Sequence, residues 1–375
     1  MKLLFIIGTR PEAIKLAPLI LEVAKNPSFN YRVCLSGQHR EMVQPVLDFF
    51  GIAPDENREL MQAEQASVAF TARAIPALTQ SILSYQPDWV LVQGDTNTAL
   101  AGAMAAFYAK TTIGHIEAGL RTADKHNPYP EEMNRRLITQ LADLHFAPTA
   151  SARENLIREN IASDRIFVTG NTGIDALLLG IERLQTSMPS QAVLAVRHAI
   201  EQLSYPEYPL LLVTLHRQEN RGERLAHICQ QLQQFAEREN ARIVFPVHPN
   251  PDVAAIVHRY LAGKKRLLLL PHQPYDAFLW LMQQAFVILT DSGGIQEEAP
   301  VLGKPIVVLR TLTERRELME QGSGILIGEN LEEMPLILQE LLQHRTNYRT
   351  KTAQRYLFGD GKASERILEI LGKWA

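Results

Sequence analysis

Residues 3–25 read LLFIIGTRPEAIKLAPLILEVAK, and this stretch decides the fold class. The five apolar residues 3–7 predict a buried β-strand, and the glycine after them predicts a turn. Pro11 suits a first helical turn, Glu12 complements the helix dipole, and the apolar residues that follow recur at helical spacing, which predicts a helix over 11–25. A strand that leads through a short loop into a helix is the repeating unit of an α/β protein.

The same alternation continues along the chain. Further strand-like runs of the first half occupy residues 32–35, 89–92, 112–116, 145–147 and 165–168. A second series occupies residues 210–215, 243–247, 267–270, 286–290 and 306–309. Apolar, β-branched strands with helices between them are typical of parallel sheets covered on both faces. The pattern therefore predicts the α/β class, with two doubly wound Rossmann-like domains facing a cleft.

A length of 375 residues also favours two domains. We place the first domain at residues 1–172 and the second at 209–362. Residues 173–208 have a helical but more polar pattern and predict a connector. The last helix, within 363–375, is compatible with either domain, including packing back on the first.

Composition narrows the function classes. The net charge of −3 gives no reason to expect a nucleic acid or an anionic membrane as partner. No apolar run approaches the roughly 18 residues of a membrane span, and the apolar start is too short for a signal peptide, so we expect a cytoplasmic protein. Cys34 and Cys229 stand in neither metal-binding nor redox spacing and are interpreted as buried hydrophobes. The histidines are spread over separate strands, so no metal is expected.

Polar residues that directly follow the strands predict a ligand site, because ligands of open α/β sheets bind at the carboxyl ends of the strands. One second-half strand runs into Asp291-Ser292-Gly293-Gly294 and then a helix. Such a glycine turn at a helix N-terminus is either a diphosphate cradle or simply a tight turn. It is neither a Walker A loop nor a GxGxxG fingerprint, so neither ATP nor NAD is expected. Arg10, after the first strand, is either a phosphate-binding fork or a surface side chain.

Three carboxylates lie on the predicted ligand edge of the first domain. They are Asp95 in GDTNT, Glu117 in GHIEAGLRT and Glu131 in NPYPEEMNRR. Asp95 could instead cap a helix, and Glu131 could simply complement a helix dipole. Their common placement favours acid–base chemistry. In the second domain, His216 and His248 each follow a strand and are placed to donate a hydrogen bond or a proton.

Together these motifs resemble the non-hydrolysing UDP-N-acetylglucosamine 2-epimerase family. The matching segments run in order through nearly the whole chain and include GTRPEAIK at 8–15, QHREM at 38–42, GHIEAGLRT at 114–122, residues 130–136 and 170–177, and TDSGGIQEEAP at 290–300. The resemblance implies a fold similar to GT-B glycosyltransferases, a homodimer without a cofactor, and a place in polysaccharide biosynthesis. It also implies UDP-N-acetylglucosamine (UDP-GlcNAc) and UDP-N-acetylmannosamine (UDP-ManNAc) as the two substrates.

The resemblance also implies roles for individual residues. Catalytic positions are matched by Asp95, Glu117, Glu131 and His216. Contacts to the UDP-sugar are matched by Arg10, Lys15, Ser292, Gly293, Gly294, Glu298 and Arg315, with Glu298 at the ribose. A second UDP-GlcNAc, bound as an allosteric activator, would contact Gln38, His39, Arg217 and His248. The sequence departs from the family pattern at Gln44-Pro45, Gln218 and Arg316, in segments that bear on the activator and the phosphate loop.

Elimination is the chemical route that the sequence favours. The C2 proton of the sugar is not next to a carbonyl, so the enzyme must either oxidise a neighbouring carbon or eliminate across C1–C2. Since the chain lacks a dinucleotide fingerprint, loss of UDP to a 2-acetamidoglucal and re-addition is preferred. The alternatives are a hydrolysing 2-epimerase that releases UDP and N-acetylmannosamine, a GT-B glycosyltransferase, and a silent UDP-sugar sensor. The full carboxylate set counts against the sensor.

Overall fold

The computed structural model describes residues 1–61, 67–122, 124–343 and 356–374, except the side chains of residues 40, 67 and 316. The chain divides into two compact units. Unit 1 comprises Met1–Leu179 and Phe358–Ala375, and unit 2 comprises Gly180–Leu357. Residues 344–355 of the predicted second domain lie outside the described residues.

Unit 1 contains one seven-stranded sheet with the order β3-β2-β1-β4-β5-β6-β7. Its elements are β1 (Lys2–Ile7), α1 (Arg10–Ala24), β2 (Asn30–Leu35), α2 (Arg40–Phe50), β3 (Glu56–Asn57), α3 (Ser67–Tyr85), β4 (Trp89–Gln93), α4 (Asn97–Tyr108), β5 (Thr112–Ile116), α5 (Glu131–Leu141), β6 (Leu144–Ala147), α6 (Ala150–Arg158), β7 (Ile166–Val168) and α7 (Thr172–Thr186). Neighbouring strands are all parallel.

Unit 2 repeats this plan with six parallel strands in the order β10-β9-β8-β11-β12-β13. Its elements are α8 (Gln191–Glu201), β8 (Leu210–Thr214), α9 (Glu223–Arg238), β9 (Arg242–Pro246), α10 (Pro251–Leu261), β10 (Leu267–Leu270), α11 (Tyr275–Gln284), β11 (Val287–Thr290), α12 (Gly293–Val301), β12 (Ile306–Val308), α13 (Arg316–Glu320), β13 (Gly324–Leu326) and α14 (Met334–Gln343). The chain ends with α15 (Ala363–Lys373), which packs on α1 of unit 1.

Burial of both sheet faces explains the sequence pattern. Residues 3–7 of β1 are all fully buried. Leu4 and Ile6 point into an apolar cluster that also includes Leu78 of α3 and Ala99 of α4. A strand that is covered on both faces needs apolar residues at every position rather than at alternate ones. The predicted α/β class with two doubly wound domains is confirmed.

Helix α7 forms the first part of segment 173–208. This helix continues past the division of the units after Leu179, and α8 follows it after a short break. Asp175 on α7 accepts hydrogen bonds from the backbone N–H groups of Ala363 and Ser364 at 3.2 and 2.7 Å, which ties the start of α15 to unit 1. Within the described ranges, no helix combines the length and the hydropathy of a membrane-spanning segment.

Strand order determines where a ligand site can lie. The order reverses direction between β1 and β4 in unit 1, and between β8 and β11 in unit 2. At such a switch point the two following loops turn to opposite sides of the sheet and leave a crevice for a ligand. Four loops therefore matter most: those after β1 and β4, which carry Arg10 and Asp95, and those after β8 and β11, which carry His216 and Ser292.

A buried histidine on β6 predicts a loss of stability in acid. His145 is 1% exposed, and neither ring nitrogen has a hydrogen-bond partner within the described part of the chain. Burial, followed by the charges of His115, Arg121 and Arg165, lowers its pKa to about 3. A lowered folded-state pKa gives stability that is present above the unfolded pKa of about 6.5 and is lost as the pH falls toward 3.

We expect His145→Leu to raise the free energy of unfolding at pH 5 by about 2 kcal/mol, because the unfolded chain no longer gains a proton there. Urea unfolding at pH 5 and pH 8 measures this, and the gain should be smaller at pH 8. The exposed His126→Gln is the control and should keep the wild-type pH dependence. An equal change for His145→Leu at both pH values would contradict the explanation.

Candidate active site

The loop after β1 is packed tightly against the start of α4. Arg10 is the first residue of α1, and Thr9 is its N-cap. Gly8 has no room for a side chain, since a Cβ there would lie 2.0 Å from Thr98 Oγ1. The backbone next to Arg10 is therefore in direct contact with the helix that follows Asp95.

Glu117, directly after β5, is held from several sides. Its carboxylate forms an ion pair with Lys15 and accepts hydrogen bonds from the amide of Gln93 and, at 3.0 Å, from Asn171 Nδ2. Its backbone has a φ of 64°, a left-handed conformation that costs a residue with a side chain about 1–3 kcal/mol. The surrounding contacts thus fix both the backbone and the carboxylate of this predicted catalytic residue.

Asp95, after β4, is oriented by α5. The guanidinium of Arg135 contacts Asp95 Oδ2 through Nε and Nη2, both at 2.7 Å. Asn134 Nδ2 donates to the Asp95 backbone carbonyl at 2.8 Å. Arg135 also contacts the fully buried Glu132 at 3.2 Å, so its own position is fixed. Because α5 begins at Glu131, the same helix that holds Asp95 brings a second predicted carboxylate to this edge of the sheet.

Glu131 has a carboxylate oxygen that is available to a ligand. Its Oε2 atom is buried and has no hydrogen-bond partner among the residues that the structure describes. A buried acceptor without a donor costs roughly 1–3 kcal/mol, which a bound molecule can recover. The position at the N-terminus of α5 favours negative charge on this side chain.

In unit 2, Asp291 joins the loops after β8 and β11. It is fully buried, and its carboxylate lies 3.0 Å from His216 Nδ1. It also accepts from the backbone N–H of His216 and Arg217 and from Asn220 Nδ2 at 2.9–3.1 Å. Burial alone would raise its pKa, but the hydrogen bond and charge of His216 and the other donors outweigh this and lower the pKa.

The Asp291 contact also orients His216. A carboxylate accepts hydrogen bonds only, so His216 Nδ1 carries a proton, and Nε2 is the ring nitrogen left for a ligand. The His216 side chain is 42% exposed. His216 therefore resembles a histidine held by a buried aspartate in other enzymes, with one nitrogen fixed and the other available.

The glycine turn after β11 lies directly over Arg315. Ser292 occupies the N-cap position of α12, and a Cβ at Gly293 would lie 2.8 Å from Arg315 Nη1. Only a glycine lets the guanidinium approach the helix N-terminus this closely. Arg315 is itself buried and bonded to Glu297 at 2.8 Å and to Glu314, so two carboxylates hold it in place. Gly294 leaves open space over the turn, and Glu298 lies partly buried further along α12.

The four residues predicted at an activator site lie in the loops after β2, β8 and β9. In unit 1, Gln38 accepts a hydrogen bond from Thr98 Oγ1 at 2.7 Å, and the backbone N–H of His39 donates to the Gly8 carbonyl at 2.8 Å. In unit 2, the pKa of Arg217 is lowered by burial and by the charge of Arg310. Burial and the neighbouring His216 lower the pKa of His248. The structure places each pair beside the switch point of its own unit.

Sequence reasoning missed the residues that hold the predicted ones. These are Glu12, Arg135, Asn171, Asp291 as a His216 partner, and the pair Glu297 and Glu314 around Arg315. A usable signal existed for Asn171 and Asp291, which are polar residues within one helical turn of a strand end, and it was lacking for the others. Within the described residues, no cluster of three or more His, Cys, Asp or Glu is placed to hold a metal ion.

Comparison with known proteins gives consistent matches. A family model described as UDP-N-acetylglucosamine 2-epimerase matches residues 21–372. The UDP-N-acetylglucosamine 2-epimerase of Salmonella typhimurium is 46% identical over 372 residues, which is 99% of this chain and 98% of that protein. The crystal structure of the Neisseria meningitidis UDP-GlcNAc 2-epimerase bound to UDP-GlcNAc superposes with a TM-score of 0.90 at 41% identity, covering 100% of both chains. The Methanocaldococcus jannaschii UDP-GlcNAc 2-epimerase, in complex with UDP-GlcNAc and UDP, gives a TM-score of 0.85 at 34% identity, again with 100% coverage of both chains.

Proposed function

The chain belongs to the UDP-N-acetylglucosamine 2-epimerase family, and we propose that it interconverts UDP-GlcNAc and UDP-ManNAc by elimination and re-addition of UDP. The observation that carries the proposal is the set of three carboxylates at one edge of unit 1, two of them fixed by cationic partners and the third with an unsatisfied oxygen. Full-length relatives of the same description support the substrate.

The first half-reaction breaks two bonds. A carboxylate takes the proton from C2, the electron pair forms the C1=C2 double bond, and the C1–O bond breaks so that UDP leaves with its electrons. The product is a 2-acetamidoglucal. In the second half, the phosphate oxygen of UDP bonds to C1, and a proton is delivered to C2 from the opposite face. The reaction therefore needs groups that exchange protons with both faces of the sugar, which suits Asp95, Glu117 and Glu131 better than a single base would.

We assign the stabilisation of the negative charge that develops on the departing UDP to donors at the strand ends of both units. Arg10, Arg315 and the Ser292-Gly293 turn at the start of α12 supply positive charge and backbone N–H groups. Glu298 is assigned to the ribose. His216, with Nδ1 held by Asp291, would present Nε2 to the substrate as a hydrogen-bond or proton donor.

The remaining expectations belong to the same proposal. Lys15 orients Glu117 through their ion pair. Gln38, His39, Arg217 and His248 are proposed to contact a second, activating UDP-GlcNAc. A homodimer in the cytoplasm, working without a cofactor in polysaccharide biosynthesis, completes the proposal.

NMR of the purified protein with UDP-GlcNAc in deuterated water tests the function. We expect a reversible mixture of UDP-GlcNAc and UDP-ManNAc, with deuterium at C2 of the converted sugar and no added nicotinamide. Stoichiometric UDP with free N-acetylmannosamine as the main early product would establish the hydrolysing alternative. Sugar transfer to an added acceptor without epimerisation would favour a glycosyltransferase. Conversion that still lacks C2 deuterium after repeated turnover would count against elimination.

A further inference from the structure

Glu12 is a fully buried carboxylate that the proposed reaction does not use. It lies in the first turn of α1 and is 0% exposed. Its Oε2 atom accepts hydrogen bonds from the backbone N–H groups of Gly8 and Thr9 at 3.1 and 2.7 Å. Its Oε1 atom accepts a hydrogen bond from the hydroxyl of Thr96 at 2.8 Å. One side chain thus joins the loop after β1 to the loop after β4.

Helix capping explains only half of this arrangement. A glutamate at the third helical position commonly reaches back to the N-cap N–H, as Glu12 does with Thr9. Such a cap is complete within its own helix and needs no partner from the loop after another strand. Here burial raises the pKa of Glu12 to about 7, although the hydrogen bonds from Thr96 and Thr9 oppose the rise. Burial therefore makes the charged form of Glu12 costly in the folded protein, and helix capping alone does not require that burial.

The two joined loops carry residues with separate tasks. Thr9 precedes Arg10, and Thr96 follows Asp95. Thr96 also caps α4, since its Oγ1 accepts from the backbone N–H of Ala99 at 2.9 Å. A displacement of Thr96 would consequently move both Asp95 and the start of α4.

We propose that Glu12 is a positioning residue that fixes the Arg10 loop and the Asp95 loop relative to each other across the switch point of unit 1. The inference rests on the proposed function, which assigns Arg10 to UDP and Asp95 to proton exchange at C2. Elimination removes the C2 proton as UDP leaves C1, so the spacing between these two groups enters the barrier directly. Unit 2 has a comparable device, because Asp291 joins the loops after β8 and β11.

The test combines Glu12→Gln and Thr96→Val, singly and together, at pH 8. Glutamine keeps the volume and one carbonyl for Gly8 and Thr9, but it presents an amide donor to Thr96. We therefore expect kcat for epimerisation to fall about tenfold while KM for UDP-GlcNAc changes little. Thr96→Val should have a similar effect, and the double variant should be no slower than the slower single variant. Thr96→Ser keeps the hydroxyl and should retain wild-type kcat.

Melting temperatures distinguish a positioning role of Glu12 from a merely structural one. Because the folded-state pKa of Glu12 is raised to about 7, its favourable contribution is present below about pH 4.5 and is lost as the pH rises through 7. Glutamine avoids that loss, so the melting temperature of Glu12→Gln at pH 8 should be no lower than that of wild type. The control is Asp143→Asn, which lies at the amino ends of β5 and β6, away from the candidate site. Its carboxylate accepts a hydrogen bond from the backbone N–H of Ile113 at 2.9 Å. This control should lose stability and keep kcat.

Three results would overturn the inference. The first is wild-type kcat for Glu12→Gln, and the second is a kcat loss in Glu12→Gln that a lowered melting temperature of this variant accounts for. The third is a pair of independent, multiplicative losses for Glu12→Gln and Thr96→Val. A wild-type protein without epimerase turnover would overturn the proposed function, and this inference with it. An active wild type with any of the three results overturns this inference alone.

Discussion

Replacing any one of the three unit 1 carboxylates is expected to lower turnover by at least about a hundredfold, the scale typical of general acid–base groups. The variants are Asp95→Asn, Glu117→Gln and Glu131→Gln, each of which keeps the shape of the side chain and removes its charge. UDP affinity should change little, because these groups are assigned to the sugar. Turnover measured by NMR and UDP binding measured by calorimetry separate the two effects.

Two controls define what the carboxylate variants mean. Arg10→Ala should weaken UDP binding by roughly 1.5–3 kcal/mol, the value of a charge-assisted hydrogen bond. Glu154→Gln removes a carboxylate that is 61% exposed on α6, and it should leave both quantities unchanged. Near-normal turnover in all three carboxylate variants would show that the acid–base assignment is wrong. Glu117→Gln should also lower stability, because it removes the charge from the buried ion pair between Glu117 and Lys15.

The second large effect is expected for Asp291→Asn, which should lower kcat by about a hundredfold or more. The carboxylate accepts hydrogen bonds from two backbone N–H groups, Asn220 and His216 Nδ1, and an amide cannot accept all of them. At least one buried donor is left unpaired, at a cost of roughly 1–3 kcal/mol. The proton on His216 is also no longer fixed at Nδ1. In other enzymes, loss of an aspartate that fixes a histidine tautomer lowers kcat by as much as about ten-thousandfold.

Turnover, UDP affinity and melting temperature should all change in Asp291→Asn, because Asp291 directly precedes Ser292 and its carboxylate supports the loop after β8. The exposed Asp252→Asn on α10 is the matched control in unit 2 and should behave like wild type. If Asp291→Asn is folded and its kcat stays within about threefold of wild type, His216 does not depend on this aspartate for its role.

Much of the fold was predictable because each strand of a parallel sheet covered on both faces has a continuous apolar sequence. The predicted strand 112–116 agrees residue for residue with β5, and the predicted strand 267–270 agrees with β10. The strands that were not predicted lack this property. Glu56–Asn57 is a polar two-residue strand at the edge of its sheet, and Gly324–Leu326 is a three-residue strand that begins with glycine. Neither contains enough apolar residues to be recognised locally.

The candidate site was also predictable only in part from the sequence. The sequence alone placed Arg10, Asp95, Glu117, His216 and the glycine turn after β11 at strand ends, because the rule for open sheets needs only local patterns. Tertiary structure decided their partners. Glu12 meets Thr96, 84 residues away, only because β1 lies beside β4 in the sheet. Asp291 meets His216, 75 residues away, because β8 lies beside β11. Strand order is set by the packing of the whole domain, so no local pattern of residues can specify which buried carboxylate holds which loop.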